Sequence, residues 1–365
     1  MKRLFSTLLL LNLGSCLGSC LVAQNTPHPP VSPPAVEAAS GSVGYIRYLS
    51  EGTDPDRLQT AVVRFEKGDT IVDLVAVVHL GDAAYYDNLN QWLKGYDKVL
   101  YEMVGGEVQP KGEAPEGDQA PDKVAGIHNL QKLAKSFLGL EFQLDGIDYE
   151  ATNFVHADVN WDELNELMTA RNENFVTLFT RAMALAEEGE ITGIPSDETE
   201  IKEMLKQLLS DLMSGDSGSL KRTIAPLMSE AETFISELEG KDGTVLVSER
   251  NRVVMEKLAE IRGNRREGKY AIFYGAGHML DLERRLLADG FTKGSTAWAD
   301  AWTIPKNGAT AAAGGSTPPS LSPADLLLKV LDENPEIMNT IQQLGTMLEN
   351  LGGTVKSLTP PPPVK

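Results

Sequence analysis

Two apolar runs in this chain stop at a histidine. "KYAIFYGAGHML", Lys269 to Leu280, ends at Gly275-Ala276-Gly277-His278, and "IVDLVAVVHLGDAAYYDNL", Ile71 to Leu89, breaks at His79. The chain holds only five histidines, so two in equivalent places suggest one shared site. Glu102, within "KVLYEMV", is a third candidate, because a carboxylate in an apolar strand is costly unless it is paired, hydrogen-bonded or bound to a metal. Two imidazoles and a carboxylate suit a divalent metal with positions left open for water. Such a metal lowers the pKa of bound water to roughly 7 and presents hydroxide for hydrolysis. The bland alternative is that each histidine is a hydrogen-bonded strand end, Glu102 pairs with a Lys or Arg, and Gly275 and Gly277 make a tight turn.

Further chemistry-bearing residues lie nearby in sequence. "SERN" sets Glu249 beside Arg250 at a helix start. Ordinary N-terminal helix chemistry explains Ser248 as a cap and Glu249 as a partner of the dipole. The functional reading points Arg250 into the crevice to hold a carboxylate or oxyanion, with Glu249 or Glu102 as base. In "VHAD", His156 and Asp158 are two residues apart and face one way if extended, which makes them extra ligands, supporting partners, or a polar surface turn. His128 belongs to an amphipathic helical pattern and His28 to a Pro-rich spacer. "GAGHML" is no dinucleotide fingerprint, because the third glycine of G-x-G-x-x-G is replaced by Leu280. No nucleophile elbow, H-E-x-x-H helix or P-loop is present.

The elements that must position these residues follow from periodicity. Strands read at "VGYIRYLS", "LQTAVVRFEKG" and "TIVDLVAVVHL", then a helix at "DAAYYDNLNQWLKGY" capped by Asp82, then the strand "KVLYEMV". This run fits a βαβ unit of an α/β sheet, in which ligands gather beyond the carboxyl ends of the strands. After a Gly/Pro-rich loop from Gly105 to Asp122 come an amphipathic helix and a strand leading to His156. Residues 160–240 are almost wholly helical and read as an insertion. A helix from "TVLVSERN", the strand ending in His278, another helix and a last strand, "FTKGSTAWADAWTI", complete a folded part at 43–305.

The net charge of −19 excludes a nucleic-acid binder, which needs a basic face, and leaves membrane contact only through an anchor. The two cysteines, Cys16 and Cys20, lie near the start, so the body has no disulfide, thiol nucleophile or Cys-held zinc. Residues 1–23 carry a basic start and a short apolar run, an export signal too short to span a bilayer. Cleavage after Ala23 and lipidation within the repeated "LGSC" both remain open. A Pro-rich spacer at 24–42 follows. Beyond the folded part come a low-complexity linker at 306–322, a helical segment at 323–353 and a Pro-rich tail at 354–365.

Taken together, a strand ending in His, "LYEMV" one βα unit later, "ERN" opening a helix and a strand ending "GAGH" resemble the TraB/PrgY/GumN family, which includes the TIKI proteins. Its paired G-x-x-H motif is intact at Gly275–His278 and altered at Ala76–His79, where Ala76 stands for Gly. The resemblance implies an α/β fold: a central, mostly parallel sheet of two similar halves flanked by helices, with the helical insertion in the middle, akin to the erythromycin esterase and ChaN folds. It implies a site of His79, Glu102, Arg250 and His278, and metal-dependent proteolysis with manganese or cobalt. The resulting expectation is an exported hydrolase, periplasmic or membrane-anchored in a bacterium. Its metal is held by His79, Glu102 and His278, its substrate is a peptide or small molecule, and the insertion covers the crevice. The alternative is a non-catalytic binder of a peptide signal, small ligand or haem.

Overall fold

A computed structural model describes residues 44–105, 138–174 and 216–306, save single positions, together with 36–37 and scattered residues of 177–211. The expected signal, most of the expected spacer, the expected loop after Gly105, the expected helix with His128, much of the middle of the expected insertion and everything from 307 lie outside the described residues.

In chain order the elements are β1 (Val36–Glu37), β2 (Ile46–Leu49), β3 (Asp56–Lys67), β4 (Asp69–Val77), β5 (Leu80–Gly81), α1 (Ala83–Leu93) and β6 (Lys98–Tyr101). Then follow β7 (Glu141–Phe142), α2 (Gln143–Gly146), β8 (Phe154–His156), α3 (Trp161–Ala170) and α4 (Ser217–Glu239). A π-helical turn (Val245–Glu249) leads into α5 (Arg250–Arg262). Next come β9 (Glu267–Gly275), a 3-10 turn (Ala276–His278), α6 (Met279–Ala288) and β10 (Thr292–Ile304).

The main sheet is mixed and flanked by helices, in the order β1-β10-β3-β4-β9-β6-β8, with β2 also on β3. Strands β4, β9, β6 and β8 run parallel; β1, β10, β3 and β2 pair antiparallel. Central parallel strands are covered on both faces and so read as continuous apolar runs. From Val72 to Val77 every residue of β4 is buried, as is every residue of β9 from Tyr270 to Tyr274. The one carboxylate inside β4, Asp73, is held by both ends of the Arg64 guanidinium at 3.0 Å and by the Tyr96 hydroxyl at 2.7 Å.

The two strands of the expected βαβ unit, β4 and β6, run parallel in one sheet with β9, from far downstream, between them: Ile71 pairs with Lys269 and Lys98 with Tyr270. Several local expectations change. Asp82 occupies the N-cap position of α1 but makes no side-chain cap. Its carboxylate binds Lys221 and the Thr303 N–H instead, joining α4 and β10. Ser248 does not cap a helix either; the chain is already wound in the π turn, and its hydroxyl donates to Glu239. Two residues of the expected spacer, Val36 and Glu37, pair with Ala297 and Thr296 at the sheet edge. No helix among the described residues is long and apolar enough to cross a membrane.

Candidate functional site

Three adjacent parallel strands deliver the principal side chains. Val77 of β4 pairs with Gly275 of β9, and Tyr101 of β6 pairs with Phe273 of β9. Just beyond these pairs the chains leave the sheet as His79, Glu102 and His278, where the carboxyl ends of neighbouring strands form a crevice. Both glycines of "GAGH" serve close approach. The Gly275 N–H donates to Glu102 Oε2 at 2.7 Å, and a Cβ at Gly275 would crowd that oxygen at 3.3 Å. A Cβ at Gly277 would run into Ile235 Cδ1, because α4 lies directly on the turn.

Arg250 stands behind this crevice, 2% exposed. Its Nε and Nη2 donate to the two oxygens of Asp158 at 2.9 and 2.6 Å, and Nη2 also reaches Glu102 Oε1 at 2.7 Å. Nη1 donates to Leu246 O at 3.2 Å and faces His278 Nε2 at 3.4 Å. The five donors of a guanidinium are thereby all engaged. Burial works against the charge of Arg250, but Asp158 and Glu102 outweigh it and hold the group firmly protonated. Burial likewise raises the pKa of Glu102, yet Arg250, the two histidines and the Gly275 N–H bring its carboxyl well below the usual carboxylate range.

His278 is fixed in one tautomer. Asn251 Nδ2 donates to His278 O at 3.0 Å and to Asp281 Oδ2 at 2.9 Å, neither of which can donate in return. Asn251 Oδ1 is therefore the atom 2.7 Å from His278 Nδ1, and Nδ1 carries the proton. Nε2 keeps its lone pair and lies 3.6 Å from Glu102 Oε1. Burial drops the imidazole pKa to about 4, opposed by Glu102 and reinforced by Arg250, so the ring is neutral at pH 7. His79 has a related contact: its Nδ1 meets Gln143 Oε1 at 2.9 Å, and Gln143 Nε2 lies 2.9 Å from the Tyr149 hydroxyl, a group that donates as well as accepts and so does not fix the His79 tautomer.

His79, Glu102 and His278 line a cavity of about 70 Å³ roofed by Met228, Ala231, Glu232 and Ile235 of α4. Arg250 is not in its wall. Asp158 joins the network from behind and, with His156, faces a separate groove of about 760 Å³ between α3 and α5. His156 Nε2 meets Met103 O at 2.7 Å. Glu249 points away from the cavity to Arg171 and Arg252, at 3.0 and 3.1 Å, and these hydrogen bonds lower its pKa. Sequence reasoning missed Asn251, Gln143 and Glu232. Asn251 lay within the quoted "ERN". Glu232 interrupts the apolar i, i+3, i+7 stripe of Met228, Ala231 and Ile235, which marks it as a buried carboxyl. Gln143 carried no local signal.

Among the described residues, no three His, Cys, Asp or Glu side chains already stand at metal-holding spacing. His278 Nε2 is turned to Arg250 Nη1 at 3.4 Å, so an ion bound there has to displace that contact. Both imidazoles have Nδ1 anchored to an amide oxygen, as metal-ligating histidines do. Glu102 accepts two short hydrogen bonds, while a carboxylate has about four lone-pair sites. Compared with known proteins, the chain matches no family model, no curated protein and no solved structure.

Proposed function

We propose that this chain is an exported hydrolase of the TraB/PrgY/GumN type, acting on a peptide or small-molecule substrate at the cavity lined by His79, Glu102 and His278. The convergence of these residues from three separate strands carries the reading. His79, Glu102 and His278 would hold a divalent metal, manganese or cobalt by the resemblance, which supplies a water of lowered pKa. The protein's own part is preparation. Asn251 and Gln143 hold Nδ1 of the two imidazoles, and Arg250 with the Gly275 N–H keeps Glu102 ionised. Asp158 holds Arg250 in place from the far side. Helix α4, within the expected insertion, forms the roof that excludes water and selects what enters. Export places this activity in the periplasm or on a lipid anchor.

Metal content decides first. The protein is equilibrated with mixed divalent metals and bound ions are counted by mass spectrometry, beside folded His79→Ala and His278→Ala variants. About one ion per chain, lost in both variants, together with metal-dependent cleavage in a peptide and ester screen, is the expected result. No ion in the wild type removes the metal hydrolase. One observation favours a binding protein instead: every Arg250 donor is spent, so no guanidinium N–H faces the cavity to stabilise an oxyanion. A tight ligand recovered unreacted would select that reading.

A further inference from the structure

The roof of the cavity contains a carboxyl group that the reading above leaves unused. Glu232 sits on α4, 5% exposed, among Met228, Ala231 and Ile235. Its Oε2 accepts the Tyr45 N–H at 2.6 Å. Its Oε1 is buried and has no hydrogen-bond partner among the described residues. A buried polar atom without a partner is costly, so a group this deep calls for a function. The Tyr45 and Ile46 N–H groups favour the charged form of Glu232; of the nearby charged groups, Glu283 opposes it and Lys293 supports it, and these two bind each other at 2.9 Å.

The polar side chains that line the cavity are His79, Glu102, Glu232 and His278; of these Glu102 is held as a carboxylate and Glu232 has one oxygen without a partner among the described residues. No Lys or Arg side chain lines it. The remaining wall is apolar, with Ile46, Val77, Val78 and Ile235. A volume of about 70 Å³ is roughly two waters' share of liquid, enough for one polar head and the start of an apolar stem. A head that offers several N–H donors, carries positive charge and needs no donor from the protein is a primary ammonium group. We propose that Glu232 Oε1 is the recognition point for such a group, so that this site takes ligands bearing a primary amine on a short aliphatic stem. The inference rests on the reading of this cavity as the substrate site, and it concerns binding, not turnover.

Glu232→Gln is the informative change. The Gln carbonyl oxygen can keep the Tyr45 bond while its NH₂ takes the place of Oε1, so a donor replaces the acceptor. The probe is n-butylammonium chloride titrated calorimetrically into the full chain, with 1-butanol and sodium butyrate as controls. Expected is saturable ammonium binding, no butyrate binding, butanol at least about tenfold weaker, and a loss of about tenfold or more in Glu232→Gln with its circular dichroism unchanged. Ammonium failing to bind the wild type, butanol binding equally, or undiminished binding in folded Glu232→Gln would each overturn the proposal. The wild-type comparison decides even if the variant does not fold. Ammonium binding without metal uptake or cleavage leaves Glu232 its role and removes the hydrolase; metal uptake without ammonium binding does the reverse.

Discussion

Arg250 exchanges its hydration for five contacts, three of them to two buried carboxylates, and it is the one Lys or Arg paired with Glu102 and Asp158 among the described residues. Arg250→Met leaves both uncompensated, and urea denaturation is expected to show a loss of about 3–5 kcal/mol. An unchanged midpoint would mean that water reaches both carboxylates. Asn251 works on a smaller scale. In Asn251→Ala, imidazole nitrogen shifts of His278 are expected to lose their Nδ1-protonated pattern, with about 1–3 kcal/mol of stability lost. A retained pattern would show that something other than Asn251 sets the tautomer. Two buried groups also give pH dependences of opposite sign. In the metal-free protein His278 has a pKa of about 4 against an ordinary 6.5, so between those values the unfolded chain binds the proton and stability falls as pH falls. Glu232, raised to about 7 from 4.5 by burial, keeps a proton that the unfolded chain releases, so its contribution falls as pH rises across that window. Glu232→Gln is therefore expected to gain thermal stability over the wild type on going from about pH 4.5 to about pH 7. A gain independent of pH would mean that Glu232 titrates alike in both states.

At the level of elements, the contact between α4 and the "GAGH" turn closes the cavity. A Cβ at Gly277 would meet the Cδ1 end of Ile235, which would have to shift to admit it. Gly277→Ala is expected to cost about 1–3 kcal/mol by overpacking, and Ile235→Ala in the same chain should return part of it. Additive losses in that double-mutant cycle would mean the two sites do not meet. A different contact, with Glu102, sets Gly275 apart from Ala76, the residue three before His79. Gly275 must admit Glu102 Oε2, whereas buried Ala76 pairs with Tyr274 inside the sheet, one position short of the Val77–Gly275 pair.

Across the whole molecule, the site depends on a late strand. β9 lies between β4 and β6, so β4 lacks its parallel partner, and β6 has only β8, until residues 267–275 are in place. Such non-local pairing carries a loop-closure cost before its contacts form, which slows folding. A chain ending before Glu267 is expected to lack cooperative unfolding, as followed by circular dichroism in urea. A cooperative transition in that fragment would mean that β4 and β6 can pair directly. The same placement assembles the site, since His79, Glu102 and His278 become neighbours only when β9 inserts.

Much of this was legible in the chain itself. The apolar runs of β4 and β9 are continuous because both faces are covered, and α1 shows its buried Tyr86, Leu89 and Leu93 by helical spacing. His79, Glu102 and His278 stood out because polar groups that end or interrupt apolar strands are costly without a partner. What the sequence could not express was adjacency. Periodicity reports which face of an element is buried, not which distant element covers it. The insertion of β9, the diversion of Asp82 to Lys221 and Thr303, the clamp of Asp158 on Arg250 and the arrival of Glu232 over the cavity are all contacts between segments far apart in the chain. Local propensity carries no record of them, and only the tertiary packing of α4 and β9 decided where these side chains meet.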